Sequence, residues 1–556
     1  MMMEHERPAL SSRFVLRVAV CEVTLSRASL TWTELGTEKA RASGARRDAP
    51  RAGNNCVPVC EIIAAQEAET AILSINKGSG PSISQELFRA YPSAFTVSYV
   101  ERASHHRWRT SDVTFRCPSA ATCHQWVQTI REHLVMLSGR PMRLLVYINP
   151  YGGKQQGKRI YEQRVAPLFA RASISTHVIV TQFAEQARDE LASSADLEKY
   201  DGVVCVGGDG MFSEVIHGLI ARTQRDAGLD QNCAEGKLAP CRLRVGIIPA
   251  GSTDCICYAS VGTNDPVTSA LHIILGDSQP MDVCSVHRND KLLRYSASLL
   301  GYGFYGDVLA DSETKRWMGP ARYSFSGLKT FLSHHLYEGT VSFLPATDIL
   351  GSPRDKTRCR AGCRLCRHDG QLASEDRQVC RTDEDIAEKE HQDKWQVVHG
   401  KFRAINAATM SCACPRSPEG LSPAAHLADG TTDLILVHRC SRLGFLCHLL
   451  CHTNRKDQFD MDFVEVHRVR SFRFTPKHGV SRPEPEKKHN SKKVLQQMCR
   501  DHPACSVPFN SSWSCDGEIL HHAAIEVRVH CGLIQLFARG IEDRSPAEQL
   551  SGPRAT

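Results

Sequence analysis

The sequence lacks an apolar run long enough to cross a bilayer, since no stretch reaches the roughly 18 residues that a spanning helix needs. It also lacks the apolar core of a signal peptide at its start, where Met1–Pro8 is charged. A formal charge of only +7 does not favour a nucleic-acid binder. We therefore expect a cytoplasmic, peripheral membrane protein without a nucleic-acid partner. Its 24 cysteines are then expected to be thiols or metal ligands rather than disulfides.

The first segment combines β-prone stretches with one closing amphipathic helix. The predicted strands are Phe14–Leu25, Ser29–Glu34, Val57–Ala64, Ala94–Glu101 and Ser111–Cys117. The predicted helix is Ala120–Leu137, with Trp126 on its apolar face. Strands that are closed by one such helix resemble a pleckstrin-homology (PH) domain. We therefore assign residues 1–138 to a PH-like, membrane-targeting β-barrel with a helix.

The rest of the chain divides into two predicted lobes. Residues 139–280 alternate helical segments with four apolar strands: Leu144–Ile148, His177–Thr181, Gly202–Val206 and Val245–Pro249. Continuous apolar strands between helices predict a largely parallel sheet in a three-layer α/β lobe. Residues 281–556 are rich in β-prone stretches, which predicts a β-sandwich lobe. Two charged stretches without apolar periodicity, 352–394 and 477–510, are predicted insertions in that lobe.

Three turns of small residues follow strands of the α/β lobe. They are Asn149-Pro-Tyr-Gly-Gly-Lys154, Gly207-Gly-Asp-Gly210 and Pro249-Ala-Gly-Ser-Thr-Asp254. Parallel sheets bind ligands at the carboxyl ends of their strands, and the N–H groups of such turns suit phosphate oxygens. The second turn projects little except the carboxylate of Asp209. This carboxylate could accept a proton or position a metal ion.

Each turn also has a simpler interpretation. The first could be an ordinary strand–helix connection, the second a tight turn with an exposed acid, and the third a helix N-cap formed by Ser252 or Thr253. A P-loop is excluded for the first turn, although Gly152, Gly157 and Lys158 have its spacing. Arg159 stands where a serine or threonine should bind Mg²⁺.

Taken in order, the three turns resemble the diacylglycerol/sphingosine/ceramide lipid kinase family. Three further stretches match it: Gly301–Asp307, Trp395–Val398 and Asn510–Glu518. The resemblance implies a two-lobed lipid kinase with ATP and Mg²⁺ between its lobes, and a possible use of Ca²⁺. It implies transfer of the γ-phosphoryl group to the primary hydroxyl of ceramide. The alternatives are a sphingosine or diacylglycerol kinase, a catalytically silent PH-domain lipid-binding scaffold and, more distantly, a soluble-metabolite kinase such as an NAD kinase.

The resemblance also implies the site residues. Asp209 would be the catalytic base, with Gly207, Gly208 and Gly210 beside the substrate. The nucleotide would be bound by Asn149, Pro150, Tyr151, Gly152, Gly153, Lys154, Thr181, Glu214, Gly251, Ser252, Thr253, Arg316, Arg322, Asp516, Gly517 and Glu518. Arginine is a bidentate phosphate donor, although Arg316 and Arg322 could also be plain surface charge. Either Asp209 or Glu518 could take the proton, and we predict Asp209, with Asp516–Glu518 near ATP and Mg²⁺.

Two clusters are candidate metal sites. Asp429 and Asp433 lie in Asp429-Gly-Thr-Thr-Asp433, which resembles a structural metal loop of bacterial lipid kinases, or a plain β-turn. The spacing of Cys359, Cys363 and Cys366 could hold Zn²⁺. The fourth ligand would be one of His368, Cys380, Cys412 or Cys414. Redox-sensitive thiols and a plain loop are the alternatives.

Two stretches suggest partners. Arg102–Arg109 mixes cations with a tryptophan, which suits the headgroups of anionic phosphoinositide membranes, or else forms a solvated hairpin. Arg442–Arg455 is amphipathic and resembles the calmodulin-binding helix of the family, or else forms a core helix. The resemblance further implies Golgi and plasma membranes as the location.

Overall fold

The structure is a computed structural model. It describes residues 9–35, 55–68, 83–193, 196–319, 321–347, 351–366, 395–452, 457–477 and 510–543. Most of the two predicted insertions, and the candidate ligands His368 and Cys380, lie outside these residues. No helix in the described ranges is long and apolar enough to cross a membrane.

The first domain is a seven-stranded antiparallel sheet covered by a helix. Its strands are β1 (Leu10–Leu16), β2 (Ala19–Leu25), β3 (Ser29–Glu34), β4 (Asn55–Pro58), β5 (Ile62–Ala68), β6 (Ser93–Arg102) and β7 (Trp108–Cys117), and its helices are α1 (Ile83–Ala90) and α2 (Ala120–Val135). The order is β4-β3-β2-β1-β7-β6-β5. Trp126 of α2 is buried against Phe14 and Phe95. The PH-like fold is confirmed, but the predicted strand Phe14–Leu25 is a hairpin that turns at Arg17, where φ is +58°.

The second domain has a parallel sheet between two helical layers. Its strands are β8 (Arg143–Ile148), β9 (Ser175–Val180), β10 (Gly202–Gly207) and β11 (Arg244–Pro249), in the order β9-β8-β10-β11. Its helices are α3 (Gly157–Ile160), α4 (Ala166–Arg171), α5 (Gln186–Ser193), α6 (Asp209–Asp226), α7 (Cys255–Val261) and α8 (Pro266–Leu275), with a π-helical turn at Tyr161–Val165. One face packs on Phe212 and Leu219, and the other on Phe169 and Ile273. The predicted three-layer α/β lobe is confirmed.

The third domain is rich in antiparallel strands. They are β12 (Ser278–Arg288), β13 (Lys291–Ser296), β14 (Leu299–Gly303), β15 (Tyr337–Pro345), β16 (Gln396–Ala408), β17 (Thr432–His438), β18 (Val464–Pro476), β19 (Trp513–Cys515), β20 (Glu518–Leu520) and β21 (Ile525–Phe537). Its helices are α9 (Phe304–Glu313), α10 (Ala321–Ser333) and α11 (Arg442–Cys451). The predicted boundary at residue 280 falls inside β12.

One strand joins the two lobes into a single sheet. β21 pairs in parallel with β11, through Arg244 opposite Gln535 and Val245 opposite Leu536. It also pairs antiparallel with β12 and β18 of the third domain. The cleft between the lobes is therefore framed by one continuous set of strands.

The PH domain packs on the α/β lobe through Trp108, the first residue of β7. The Trp108 ring is 2% exposed and stacks on His272 of α8 at a centroid distance of 3.7 Å. Its backbone N–H donates to the hydroxyl of Thr268 at 2.9 Å. A tryptophan in this position cannot reach a membrane.

Two arginines of the stretch around Trp108 are engaged by carboxylates of the same chain. Arg109 pairs with Asp265 at 2.6 Å, and Arg102 pairs with Glu61 and with Glu542. Arg102, Trp108 and Arg109 thus form an intramolecular interface. Ser104 and His105, at the tip of the β6–β7 hairpin, are exposed. A headgroup contact is wrong for Trp108, because α8 covers its ring.

Candidate active site

The three small-residue turns meet at the carboxyl ends of β8, β10 and β11. A Cβ atom on Gly153, whose φ is +58°, would lie 2.5 Å from the carbonyl oxygen of Ala250. A Cβ on Gly251 would lie 2.6 Å from the Cα of Gly208. These glycines are required because the turns pack backbone against backbone. The result is a compact edge that presents main-chain groups to the cleft.

Side chains of Asn149 and Thr181 form hydrogen bonds with the backbone at and just before the first turn. The Asn149 Oδ1 atom accepts the N–H groups of Tyr151 at 2.9 Å and of Gly152 at 3.1 Å. The buried Thr181 hydroxyl donates to the carbonyl of Ile148 at 3.2 Å. Lys154 lies at the rim of a depression of about 350 Å³ that Gly251 also lines. The predicted first and third turns thus share one surface.

Asp209 is the first residue of α6, and its carboxylate bridges to α7. Its two oxygens accept the N–H groups of Cys255 at 3.1 Å and of Ile256 at 3.0 Å. Burial raises the pKa of Asp209, while these two N–H groups act in the opposite direction. The carboxylate is therefore held in one orientation in a poorly solvated place. The sequence indicated a catalytic acid, with an exposed acid in a tight turn as the alternative, and did not reveal its bond to α7.

A second acid, Asp254, lies beside Asp209. Asp254 has φ of +51° and accepts the N–H of Gly251 at 2.8 Å. Burial, with a contribution from the charge of Asp209, raises the pKa of Asp254 to about 7. Asp254 is also the N-cap residue of α7, so the interpretation of Ser252 or Thr253 as the cap is wrong. Both of those residues are exposed at the turn.

Strand β13 of the third domain is linked to α6 by a neutral histidine. His217 donates from Nδ1 to the Ser213 carbonyl at 2.7 Å and accepts the N–H of Tyr295 at Nε2, at 3.0 Å. Burial, followed by the charge of Arg294, lowers the pKa of His217 to about 4. The imidazole therefore keeps one tautomer near neutral pH and fixes α6 against β13.

Asp516 is saturated by donors of its own domain. Its oxygens accept the N–H groups of Ala297 at 2.6 Å and Leu299 at 2.9 Å, together with the N–H and hydroxyl of Ser298 and the hydroxyl of Ser296. The negative charge of Asp516 contributes to the raised pKa of Asp209. Asp516 therefore holds the turn before β14 and lies close enough to Asp209 to affect its proton affinity.

Glu518 is the more accessible acid of the same motif. Its side chain is 49% exposed, and it pairs with Arg294 at 2.6 Å. Arg294 also donates to the hydroxyl of Ser213 on α6 at 3.3 Å. Glu214, next along α6, is half-buried, and burial raises its pKa. The structure thus brings Glu518 to the α6 side of the cleft.

The two predicted phosphate arginines share an acidic partner in the third domain. Arg316 and Arg322 both pair with Glu313 of α9. Arg316 is three-quarters exposed, whereas the Arg322 guanidinium stacks on Tyr323. Within the described ranges, none of their hydrogen bonds or ion pairs reaches the Gly-rich turns.

The acidic loop before β17 has an arginine as its counter-ion. The buried carboxylate of Asp433 pairs with Arg468 at 2.9 Å and accepts the hydroxyl of Ser422 at 2.6 Å. Asp429 accepts the N–H and the hydroxyl of Thr431. The positive charge that the predicted metal ion would supply to Asp433 comes from Arg468.

Comparison with known proteins defines the class. Three family models match: the ceramide kinase PH domain over residues 10–130, the diacylglycerol kinase catalytic domain over 143–286, and the ceramide kinase C-terminal domain over 296–550. Together with the site, these matches make the chain an ATP-dependent lipid kinase, as predicted. Kinases of this kind use ATP together with a divalent metal ion.

Similarity to curated proteins gives the family. "Ceramide kinase" from Homo sapiens is 57% identical over 534 residues, covering 96% of each chain, and "Ceramide kinase" from Mus musculus is 54% identical over 528 residues, covering 94% of this chain and 96% of that one. The chain belongs to the ceramide kinase family. A solved structure, a putative diacylglycerol kinase from Bacillus anthracis str. Sterne, is similar with a TM-score of 0.44 at 16% identity, over 73% of this chain and 98% of that one.

Proposed function

We propose that the protein transfers the γ-phosphoryl group of ATP to the primary hydroxyl of ceramide and forms ceramide 1-phosphate. The observation that carries the phosphoryl transfer is the convergence of three glycine turns beside the half-buried carboxylate of Asp209. The choice of ceramide as the acceptor is supported by the high identity to ceramide kinases over nearly the whole chain.

The nucleotide would lie along the edge of the parallel sheet. The turns Asn149–Lys154 and Gly251–Thr253, and the first turn of α6, offer main-chain N–H groups to its phosphates. Mg²⁺ would neutralise charge on the β- and γ-phosphates. Of the acids in the Asp516–Glu518 motif, Glu518 fits a role at the cation, because its carboxylate is half-exposed while that of Asp516 is saturated.

Asp209 is the group that we assign to the ceramide hydroxyl. Its two N–H donors fix the direction of the carboxylate, and burial raises its proton affinity. A loose phosphoryl-transfer transition state requires little early deprotonation, so aiming the hydroxyl comes first and proton uptake follows. Glu518 is a weaker candidate base because Arg294 neutralises it and water reaches it.

A panel of lipid acceptors tests the proposed substrate. The full chain is incubated with labelled ATP, Mg²⁺ and vesicles that carry ceramide, sphingosine or diacylglycerol. We expect phosphorylated ceramide to form at least about tenfold faster than the other products, because each unmatched polar group at the acceptor site costs binding energy. Faster labelling of sphingosine or diacylglycerol would contradict the assignment. ATP binding without any labelled lipid would indicate the scaffold instead.

We further propose that α10 and α11 form an apolar surface that meets the membrane. The exposed side chains of this apolar surface are Phe325, Leu328, Leu332, Leu443, Leu446 and Leu450, together with Trp317 of the 3₁₀ turn that precedes α10. The two helices are neighbours, since Arg442 donates to the carbonyl of Leu332 at 3.2 Å and Phe331 stacks on Phe445. Exposed leucines beside Arg442 suit anionic lipids, because the leucines can be buried in the acyl region while the guanidinium group pairs with the headgroups.

The contacts of α11 bear on the hypothesis that this helix binds calmodulin. Phe445 and His448 are buried against the third domain, and burial lowers the pKa of His448 to about 3, so this histidine stays neutral. In the described part of the stretch, Arg442 is the fixed cation. We therefore favour lipid over calmodulin as the ligand of this face.

For the PH domain, we propose that the exposed Arg13 and Arg17 of the β1–β2 hairpin bind phosphoinositide headgroups. We propose Golgi and plasma membranes as the place where the enzyme acts.

Removing two leucines from this surface is expected to weaken membrane binding. Each buried leucine contributes about 1.5–3 kcal/mol, so Leu328→Ser with Leu443→Ser should raise the dissociation constant for phosphatidylserine-containing vesicles at least about tenfold. Vesicle co-sedimentation measures this constant. Val397→Ser, a similarly exposed apolar position on β16, is the matched control. Equal binding by the double variant and the control would show that other residues carry the attachment.

A further inference from the structure

Three cysteines and one histidine from distant segments meet in the third domain. Cys359, Cys363 and Cys366 lie in residues 351–366, and His426 lies in the loop before β17. One ligand atom from each residue lies within 4.8 Å of all the others. The three cysteines are free thiols rather than members of a disulfide.

The distances between the ligand atoms are close to those of a tetrahedral zinc site. Zn–S bonds of about 2.3 Å and Zn–N bonds of about 2.0–2.1 Å place neighbouring ligand atoms roughly 3.5–3.8 Å apart. The Sγ atoms of Cys359 and Cys366 are 3.7 Å apart, and Sγ of Cys363 is 3.3 Å from Nδ1 of His426. The four side chains thus surround one point from two stretches of chain.

The surroundings favour a closed site. His426 is 2% exposed, Cys366 is 5% exposed, and the other two cysteines are half-buried. Three thiolates and an imidazole are soft or borderline ligands that select zinc over magnesium or calcium. Four protein ligands leave no open position for a substrate or a reactive water, which distinguishes structural from catalytic zinc.

We propose that Cys359, Cys363, Cys366 and His426 bind one structural Zn²⁺ ion. The fourth ligand is not Cys412, whose Sγ donates to the carbonyl of Ser298 at 3.5 Å. Cys414 lies outside the cluster as well. His426 is 60 residues beyond Cys366 in the sequence, so cysteine spacing alone does not identify it.

The ion has a definite structural task. It joins residues 351–366 to the loop that precedes β17, and the same segment is bound to the chain after β21 through the N–H of Ala361, which donates to Ile541 at 2.9 Å. The loop in turn donates the N–H of Gly430 to buried Asp282 of β12 at 2.7 Å. Zinc would therefore add a cross-link between these three segments, and its binding energy would contribute to folding.

Metal content tests the site in the full chain. The protein is expressed with zinc, purified without a metal-affinity step and measured by mass spectrometry of its elements. We expect about one zinc per chain in the natural sequence and less than about 0.2 in Cys363→Ser and in His426→Asn. Cys233→Ser, an exposed cysteine elsewhere, is the matched control and should keep one zinc.

Two further measurements keep the test decisive if those variants fold poorly. Cobalt exchanged into the natural protein should give the thiolate charge-transfer and d–d absorption bands of a tetrahedral site. His426→Cys should retain zinc, because a fourth thiolate replaces the imidazole. Folded natural protein with neither zinc nor the cobalt spectrum would overturn the proposal. Undiminished zinc in both ligand variants would overturn it as well.

Discussion

Replacing Asp209 by asparagine is expected to lower kcat by roughly 10³-fold while the dissociation constant for ATP changes less than about threefold. The amide keeps an oxygen for one of the two α7 N–H groups, but it cannot take a proton from the acceptor hydroxyl. The turns that we assign to the nucleotide remain intact. Single-turnover kinetics with ceramide vesicles, together with calorimetric ATP titration, separates the two effects.

The control for Asp209→Asn lies on the same helix. Asp226→Asn removes an acid at the other end of α6, where it pairs with Arg222, and should leave the rate unchanged. Glu518→Gln tests the competing base. A near-normal rate in Asp209→Asn, with a roughly 10³-fold loss in Glu518→Gln, would identify Glu518 as the base and refute our assignment.

Gly210→Ala is expected to abolish most activity without destabilising the fold. A Cβ atom on Gly210 would meet no protein atom within 4 Å, and alanine favours the first turn of a helix more than glycine does. That open space is where we expect the phosphates or the acceptor hydroxyl. A methyl group there should displace the reactants by about 1 Å and lower kcat/KM roughly 100-fold.

For a second glycine on α6, Gly218, we expect the reverse: a loss of stability rather than of function. A Cβ on Gly218 would lie 2.6 Å from the carbonyl oxygen of Arg188, so Gly218→Ala should lower Tm while the folded fraction still binds ATP. Thermal unfolding and ATP titration distinguish the two variants. Full activity in Gly210→Ala would mean that the reactants stay clear of this turn.

Local patterns were sufficient to predict the strands and turns of the active-site edge. The apolar runs that became β8, β10 and β11 are continuous because both faces of a parallel sheet are buried. Once these strands are adjacent and parallel, their following turns must share an edge. The PH-like sheet and its Trp126 helix were predictable for the same reason, since period-2 and helical patterns depend only on near neighbours.

Contacts between distant segments were not predictable in this way. Trp108 and Arg102 have the composition of a membrane hairpin, and only the fold places His272 and Glu542 against them. The five donors that surround Asp516, from Ser296 to Leu299, come from residues more than 200 positions earlier in the sequence, so motif spacing does not reveal them. Asp254 is one residue past a recognised motif, and its raised pKa depends on burial that the sequence does not reveal.

The pairing of β21 with β11 has a consequence for how the enzyme is made. Strands β8 to β11 leave the ribosome long before β21 does, so the growing chain carries a sheet whose β11 edge is still open. Open edges invite pairing with other chains, and pairings between remote segments form slowly. The nascent kinase lobe therefore needs protection from aggregation until β21 docks. Ceramide phosphorylation is then a property that arises only after β21 has been synthesised and has docked, and a shortened chain without β21 would not retain a free-standing catalytic unit.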